Sequence, residues 1–280
     1  MRLIVCTDLD GTLFPNGPAP ESPGAAARFR RLVTLCDVTL VFVTGRDPRR
    51  VEHAMEEHRL PAPDFVISDV GATLSAVRRG SWEISRAWRD ALRADWPDGA
   101  RERLRESLAG VAGLREQETD RQSEFKLSYY APAHENENDL LEQVLARADR
   151  SNVETKLIWS VEPDGSRGLL DALPRRVSKL GAIQHLLSEH EFDRDRVVYA
   201  GDSGNDLDVL TSFVPAVLVA NATDDVRRRA LRESERRGTT PFLYLARGGF
   251  LGMNGNYAAG VLEGIAHFHA DIGPWLEESA

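Results

Sequence analysis

The sequence predicts an α/β fold, a Rossmann-like core on a parallel sheet, interrupted by an inserted α+β module. Three observations predict it. Short apolar runs at residues 3–6, 38–43 and 65–67 alternate with helical periodicity at 25–35 and 49–58, the pattern of βαβ units. Apart from Thr39, these runs are apolar throughout instead of alternating, as strands covered on both faces are. Each also ends in a polar loop that carries glycine: Thr7-Asp8-Leu9-Asp10-Gly11-Thr12, Thr44-Gly45-Arg46 and Ser68-Asp69-Val70-Gly71. In open sheets of this kind the ligand site lies beyond the carboxyl ends of the strands.

The elements follow in order. Pro15, Gly17, Pro18, Pro20 and Pro23 forbid regular structure after the first loop. Phe29, Leu32, Val33 and Leu35 give the first helix its apolar stripe. From residue 82 to about 108 the chain reads as charged and mostly helical, with a break near Pro97-Asp98-Gly99. Residues 125–131 read as an aromatic-rich strand, 137–148 as an amphipathic helix, and 157–161 and 168–173 as further strands. This mixture predicts a small α+β module. After Pro174 the first pattern resumes: a helix over 178–187 capped by Ser178, then apolar strands at 197–200, 216–220 and 242–246. The expected division is a core at 1–76, an insertion at 77–170 and the rest of the core at 171–280. The arginine-rich stretch 227–237 also holds Glu233 and Glu235, and reads as a solvated helix face.

Composition narrows the function. The 280 residues fit one large domain or two ordinary ones, and 44 acidic against 35 basic side chains leave a net charge of −9. Such a chain is a poor general nucleic-acid binder, and an anionic substrate would need local cations or a metal. Only Cys6 and Cys36 are present, which excludes a disulfide framework; Cys6 lies in an apolar run and reads as a buried thiol. No apolar stretch reaches the roughly 18 residues of a membrane helix, and the run before Asp8 is too short for a signal peptide. A soluble, cytoplasmic protein is expected.

The chemistry-bearing residues cluster at the strand ends. Asp8 and Asp10 leave the first strand two residues apart, so both face the site. Like charges that close resist joint ionisation unless a cation neutralises them or one stays protonated. An ordinary turn is the other reading of Asp and Gly together. Asp202 and Asp206, with Asn205 between them, follow another apolar strand. Oxygen ligands from two strand ends suit Mg²⁺, which binds through one or two carboxylates plus phosphate oxygens; helix capping is the alternative. Thr44 and Gly45 offer a hydroxyl and an open amide to a phosphate. Lys179 opens a helix, where a cation is unfavourable for the helix dipole, and so suggests a task.

Asp8-Leu9-Asp10-Gly11-Thr12-Leu13 resembles the first signature of the haloacid dehalogenase (HAD) phosphatases. Thr44-Gly45-Arg46 resembles the second, Ser178-Lys179 the third, and Gly201-Asp202-Ser203-Gly204-Asn205-Asp206 the fourth. The insertion resembles that superfamily's C2-type cap. Within the superfamily, residues 67–72, 82–92, 125–130 and 257–264 resemble sucrose-phosphate and mannosylfructose-phosphate phosphatases. Two positions depart from commoner patterns: Asp69 stands where many relatives have Asn, and Ala220 precedes Asn221.

The resemblance implies a Mg²⁺-dependent phosphatase acting on a sugar phosphate, such as the phosphorylated disaccharide sucrose 6-phosphate. Asp8 would be the nucleophile and Asp10 the general acid and base. The metal would sit with Asp8, Asp10 and Asp202, supported by Asn205 and Asp206. Thr44, Gly45 and Lys179 would hold the phosphoryl group, and Asn221 would join substrate binding. A closing cap would supply specificity, with Lys126 reaching hydroxyls and Trp82, Trp88, Tyr129 and Tyr130 either stacking on sugars or forming the cap's own core. The expected partner is a small sugar phosphate, with a sugar-phosphate synthase as a possible associate and a monomer or small homo-oligomer as the state; no nucleic acid or membrane is involved. The alternatives are a mannosylfructose-phosphate phosphatase, a broad Cof-type hexose-phosphate phosphatase, and a non-catalytic HAD-fold binding protein. Retention of both Asp8 and Asp10 argues against the last.

Overall fold

A computed structural model describes residues 2–35, 37–132, 137–162 and 165–273. The chain divides into two compact units, Met1–Ile84 with Ser178–Ala280, and Ser85–Val177. The expected insertion at 77–170 is therefore shifted at both ends. The reason at the first end is a hairpin that the sequence reading missed. Strands β4 (Thr73–Arg78) and β5 (Ser81–Ile84) pair antiparallel and continue the large sheet. Residues around Trp82 are thus strand, and the helical stretch begins only at α3 (Arg86–Arg93), where the Ser85 side chain accepts the Trp88 N–H.

The larger unit is built on eight strands. Besides β4 and β5 these are β1 (Leu3–Thr7), β2 (Val38–Val43), β3 (Phe65–Ser68), β10 (Val197–Gly201), β11 (Ala216–Leu218) and β12 (Leu243–Leu245). Their order is β12-β11-β10-β1-β2-β3-β4-β5, parallel from β12 to β3. The chain runs outward from β1 through α1 (Ala25–Leu35) to β2, and on through α2 (Pro48–Glu57) to β3. It later returns to β10 on the other side of β1. The strand order therefore reverses at β1, the position at which doubly wound sheets bind ligands.

Burial explains the strand composition: every residue of β1 and β2 is buried. Leu3 and Val5 join Phe29 and Leu32 of α1, and Val261, Leu262 and Ile265 of α9 (Ala258–Phe268), in one apolar cluster. Each such side chain contributes about 1.5–3 kcal/mol when fully buried. Cys6 is a free, buried thiol, pushed up to about 12 by desolvation; Cys36 lies outside the described residues. The larger unit also carries α6 (Lys179–Glu189), α7 (Leu207–Leu210) and α8 (Asp224–Arg237). The last has its arginines outward and its Glu233 carboxylate held low, at about 2, by Arg236 and Arg237.

The smaller unit has an antiparallel sheet, β6 (Arg115–Glu116), β7 (Leu127–Pro132), β9 (Arg167–Pro174) and β8 (Thr155–Val161), in that order. Helices α3, α4 (Ala100–Leu108) and α5 (Glu137–Arg150) accompany it. Trp88, Leu92, Leu104, Leu127, Tyr129, Val144 and Leu170 are buried there. That decides two of the aromatic alternatives: Trp88 and Tyr129 are core. Tyr130 stacks under Arg167 at 4.0 Å and donates its hydroxyl to Glu118. Among the described residues no helix is long and apolar enough to cross a membrane.

Candidate active site

Three loops at the carboxyl ends of β1, β2 and β10 meet in one cavity of about 650 Å³. Asp8, Asp10, Thr44, Gly45, Asp202 and Asn205 all line it. Parallel pairing brings them together: β1 is hydrogen-bonded to β10 on one side and β2 on the other, so three loops far apart in sequence emerge side by side. Two glycines permit the close approach. Gly11 has φ +72°, and a Cβ there would meet Asp202 Oδ2 at 2.5 Å; at Gly201 it would meet Asp206 Cγ at 2.6 Å.

The centre of the site is a buried cation between two carboxylates. Lys179 is fully buried, with Nζ 2.6 Å from Asp206 Oδ1 and 3.1 Å from Asp8 Oδ2. Asp8, Asp202 and Asp206 each bring a carboxylate oxygen within 4.8 Å of the others. Burial pushes the Asp8 carboxyl up to about 8; Lys179 opposes this shift, while Asp206 and Asp202 add to it. Burial and Asp206 push Asp202 up to about 6. Asp206 goes the other way, held below the usual range by Lys179, Tyr199 and the Ser203 amide against the cost of its burial. Lys179 is held above its ordinary value by the same two carboxylates, against desolvation.

Asp206 is the most heavily bonded of the group. Its Oδ1 accepts from Lys179 and the Tyr199 hydroxyl, and its Oδ2 from the amides of Asp202 and Ser203 and the Ser203 hydroxyl. It therefore braces Lys179 and fixes the loop after β10. Asp202 keeps a freer carboxylate: Oδ1 accepts from the Thr12 hydroxyl at 2.8 Å, and among the described residues no donor is bonded to Oδ2. Asn205 accepts from the Ser203 hydroxyl. Thr44 is buried, its hydroxyl accepting the Arg46 amide, and Gly45 beside it is exposed.

Asp10 lines the same cavity but is held by Arg46. The guanidinium donates from Nε to Oδ2 and from Nη2 to Oδ1, both at 2.6 Å, and from Nη1 to the Arg50 carbonyl. Its Cζ lies 5.4 Å from the centre of the Phe14 ring. Bidentate arginine pairs of this kind are strong and directional.

Asn221 and Lys126 have their own surroundings. The Asn221 amide donates to the Gly11 carbonyl at 2.6 Å, and its oxygen accepts the Tyr257 amide at 2.8 Å. Asn221 thus braces the first loop against the start of α9. Lys126 belongs to the smaller unit, where it is buried just before β7. The sequence reading assigned no task to Arg46, Thr12 or Tyr199. Arg46 and Thr12 sat inside quoted motifs, but Tyr199 looked like any other strand residue.

Sheet order and loop chemistry agree with what the four signatures led one to expect. The family model of sucrose-6F-phosphate phosphohydrolase matches residues 1–269: the chain is a HAD-fold phosphatase, a phosphoric monoester hydrolase, and belongs to that family. A HAD-like hydrolase of Nitrosococcus oceani is 42% identical over 276 residues, 99% of this chain and 74% of that protein. The mannosylfructose-phosphate phosphatase of Agrobacterium fabrum is 26% identical over 270 residues, 95% of this chain and 96% of that one. Among solved structures, the sucrose-phosphatase of Synechocystis sp. PCC6803, in complex with sucrose and phosphate, superposes with a TM-score of 0.71 at 22% identity, covering 96% of this chain and 98% of that one.

Proposed function

We propose that the protein is a Mg²⁺-dependent phosphatase of a phosphorylated disaccharide such as sucrose 6-phosphate, working through an aspartyl-phosphate on Asp8. The observation that carries the reading is the buried Asp8 carboxylate, set between Lys179 and Asp202 and open to a polar cavity. The disaccharide is supported by the family's description and by the mannosylfructose-phosphate phosphatase relative.

The residues fit a divalent cation. Among the described residues, four carboxylates, Asp8, Asp10, Asp202 and Asp206, crowd the catalytic end of the cavity, where Lys179 and Arg46 are the cations paired with them. A phosphate dianion would be repelled from that excess. Asp8, the backbone carbonyl of Asp10 and Asp202 would hold Mg²⁺, with Asn205 and Asp206 behind them. Bound there, the ion supplies neutralising charge for the phosphoryl oxygens.

The protein's own groups do the rest. An Asp8 oxygen attacks phosphorus as the bond to the sugar oxygen breaks, and Asp10 delivers the proton that oxygen needs. Water then attacks the aspartyl-phosphate, losing its proton to Asp10, which releases phosphate and restores Asp8. Lys179, Thr44 and Gly45 hold the phosphoryl oxygens, since this reaction depends on positioning and charge stabilisation. Both Asp10 carboxylate oxygens accept from Arg46, so acting on the sugar oxygen requires Asp10 to give up one of those bonds.

Phosphate release across phosphorylated disaccharides, hexose phosphates and nucleotides, with Mg²⁺ and with a chelator, tests the reading. The expected result is release that requires Mg²⁺ and favours the disaccharides. Faster turnover of nucleotides or of hexose phosphates would overturn the substrate, and unchanged rates in chelator would overturn the metal.

The raised Asp8 and Asp202 carboxyls add a pH signature. A carboxyl with a raised value keeps its proton to a higher pH than an ordinary one and must release it to accept a metal. Mg²⁺ affinity should therefore rise between pH 5 and about 8, then level off. From these two groups alone, the metal-free protein loses stability over the same rise in pH, because the folded state favours the proton. Calorimetric titration at several pH values checks the trend, and a flat affinity profile would contradict it.

A further inference from the structure

The cavity extends past the phosphoryl-binding loops onto helix α2. Arg50, His53 and Glu57 line that side, and Asn16 joins them from the loop after β1. On α2 the three residues sit at i, i+3 and i+7, one face of a helix. The helix is fixed relative to the chemistry: Arg46 bonds the Asp10 carboxylate with two nitrogens and the Arg50 carbonyl with the third. In the mechanism above the sugar oxygen lies at Asp10, so the body of the leaving group extends from Asp10 and meets Arg46 and α2 next. At about 650 Å³ the cavity has room for more than a phosphoryl group.

The chemistry of that wall is selective. No apolar side chain is among the residues lining the cavity. A nucleobase, an aryl group or a lipid would find no aliphatic or phenyl side chain there. A polyhydroxylated group finds guanidinium donors on Arg50, an imidazole able to donate or accept on His53, acceptors on Glu57 and an amide on Asn16. His53 Nε2 and Glu57 Oε2 lie 3.8 Å apart, close enough to grip neighbouring hydroxyls.

We propose that the Arg50, His53 and Glu57 face of α2 is a sugar subsite of the larger unit, hydrogen-bonding the hydroxyls of the leaving group. The proposal rests on the sugar-phosphatase reading and adds the residues that read the sugar. It makes them specificity residues, distinct from the groups that touch phosphorus.

The test is a selectivity ratio: kcat/KM for sucrose 6-phosphate divided by kcat/KM for p-nitrophenyl phosphate, which has no hydroxyls to read. Arg50→Ala, His53→Ala and Glu57→Gln are each expected to lower that ratio about tenfold through KM, the scale of one lost hydrogen bond to a charged or polar partner. Glu52→Gln, on the opposite side of α2 and outside the cavity, should leave it unchanged. Ratios unaltered in all three variants, or lowered equally by Glu52→Gln, overturn the subsite. A wild-type protein inert toward every sugar phosphate would instead remove the functional reading, and the subsite with it; that outcome appears before any variant is made.

Discussion

Asp8→Asn should end phosphate release, by on the order of 10⁴-fold or more, while leaving the protein folded. An amide oxygen is too poor a nucleophile to attack phosphorus, and Asp206, enclosed by five donors, cannot take its place. The fold should not suffer. Asparagine has the same shape, and its oxygen can still accept the Leu9 amide, as Asp8 Oδ1 does at 2.8 Å. Lys179 keeps its shorter contact, to Asp206. The variant also removes a carboxyl whose charged form is disfavoured by burial, so its metal-free thermal midpoint should equal or exceed that of the wild type. Phosphate release and thermal melting on one preparation decide the matter. Retained turnover would remove Asp8 as the nucleophile. Lost turnover with a collapsed midpoint would make Asp8 a structural residue instead.

How much of this was legible beforehand depends on range. The strand ends were, because a buried parallel strand is a continuous apolar run, and its polar terminus marks itself. Asp8, Thr44 and Asp202 were found that way, and parallel pairing with β1 brought them together. The hairpin of β4 and β5 was not, because Trp82, Glu83 and Ile84 are mostly exposed and carry no clear period; pairing with the sheet, not pattern, makes them strand. Asn221 was legible only in part, because its bonds to the Gly11 carbonyl and the Tyr257 amide depend on segments far off in sequence. Tyr199 gave no signal at all: its ring fits a strand core, and the task of its hydroxyl depends on Asp206, seven residues on.

Lys179→Met should be costly to both stability and activity, and the two losses can be separated. The side chain is fully buried, and methionine fills nearly the same volume without charge. Asp8 and Asp206 would then face each other with no cation between them. Breaking a buried ion pair from one side costs about 3–5 kcal/mol, because the remaining charge is left uncompensated. The loss should depend on pH with a definite sign. Asp8, already raised by burial with Lys179 opposing, would rise further without it, so protonation favours the folded state as pH falls, and stability is lost as pH rises. Denaturant unfolding should thus show a smaller deficit at pH 5.5 than at pH 8. Adding Asp206→Asn to Lys179→Met removes one of the stranded charges and should return part of the stability, a coupling that a double-mutant cycle measures. It should return no activity, because the phosphoryl oxygens would still lack the ammonium group. If the double variant regained turnover, Lys179 would be a structural counter-charge to Asp206 and no more. If the single variant lost turnover without loss of stability, the buried pair would contribute nothing to the fold.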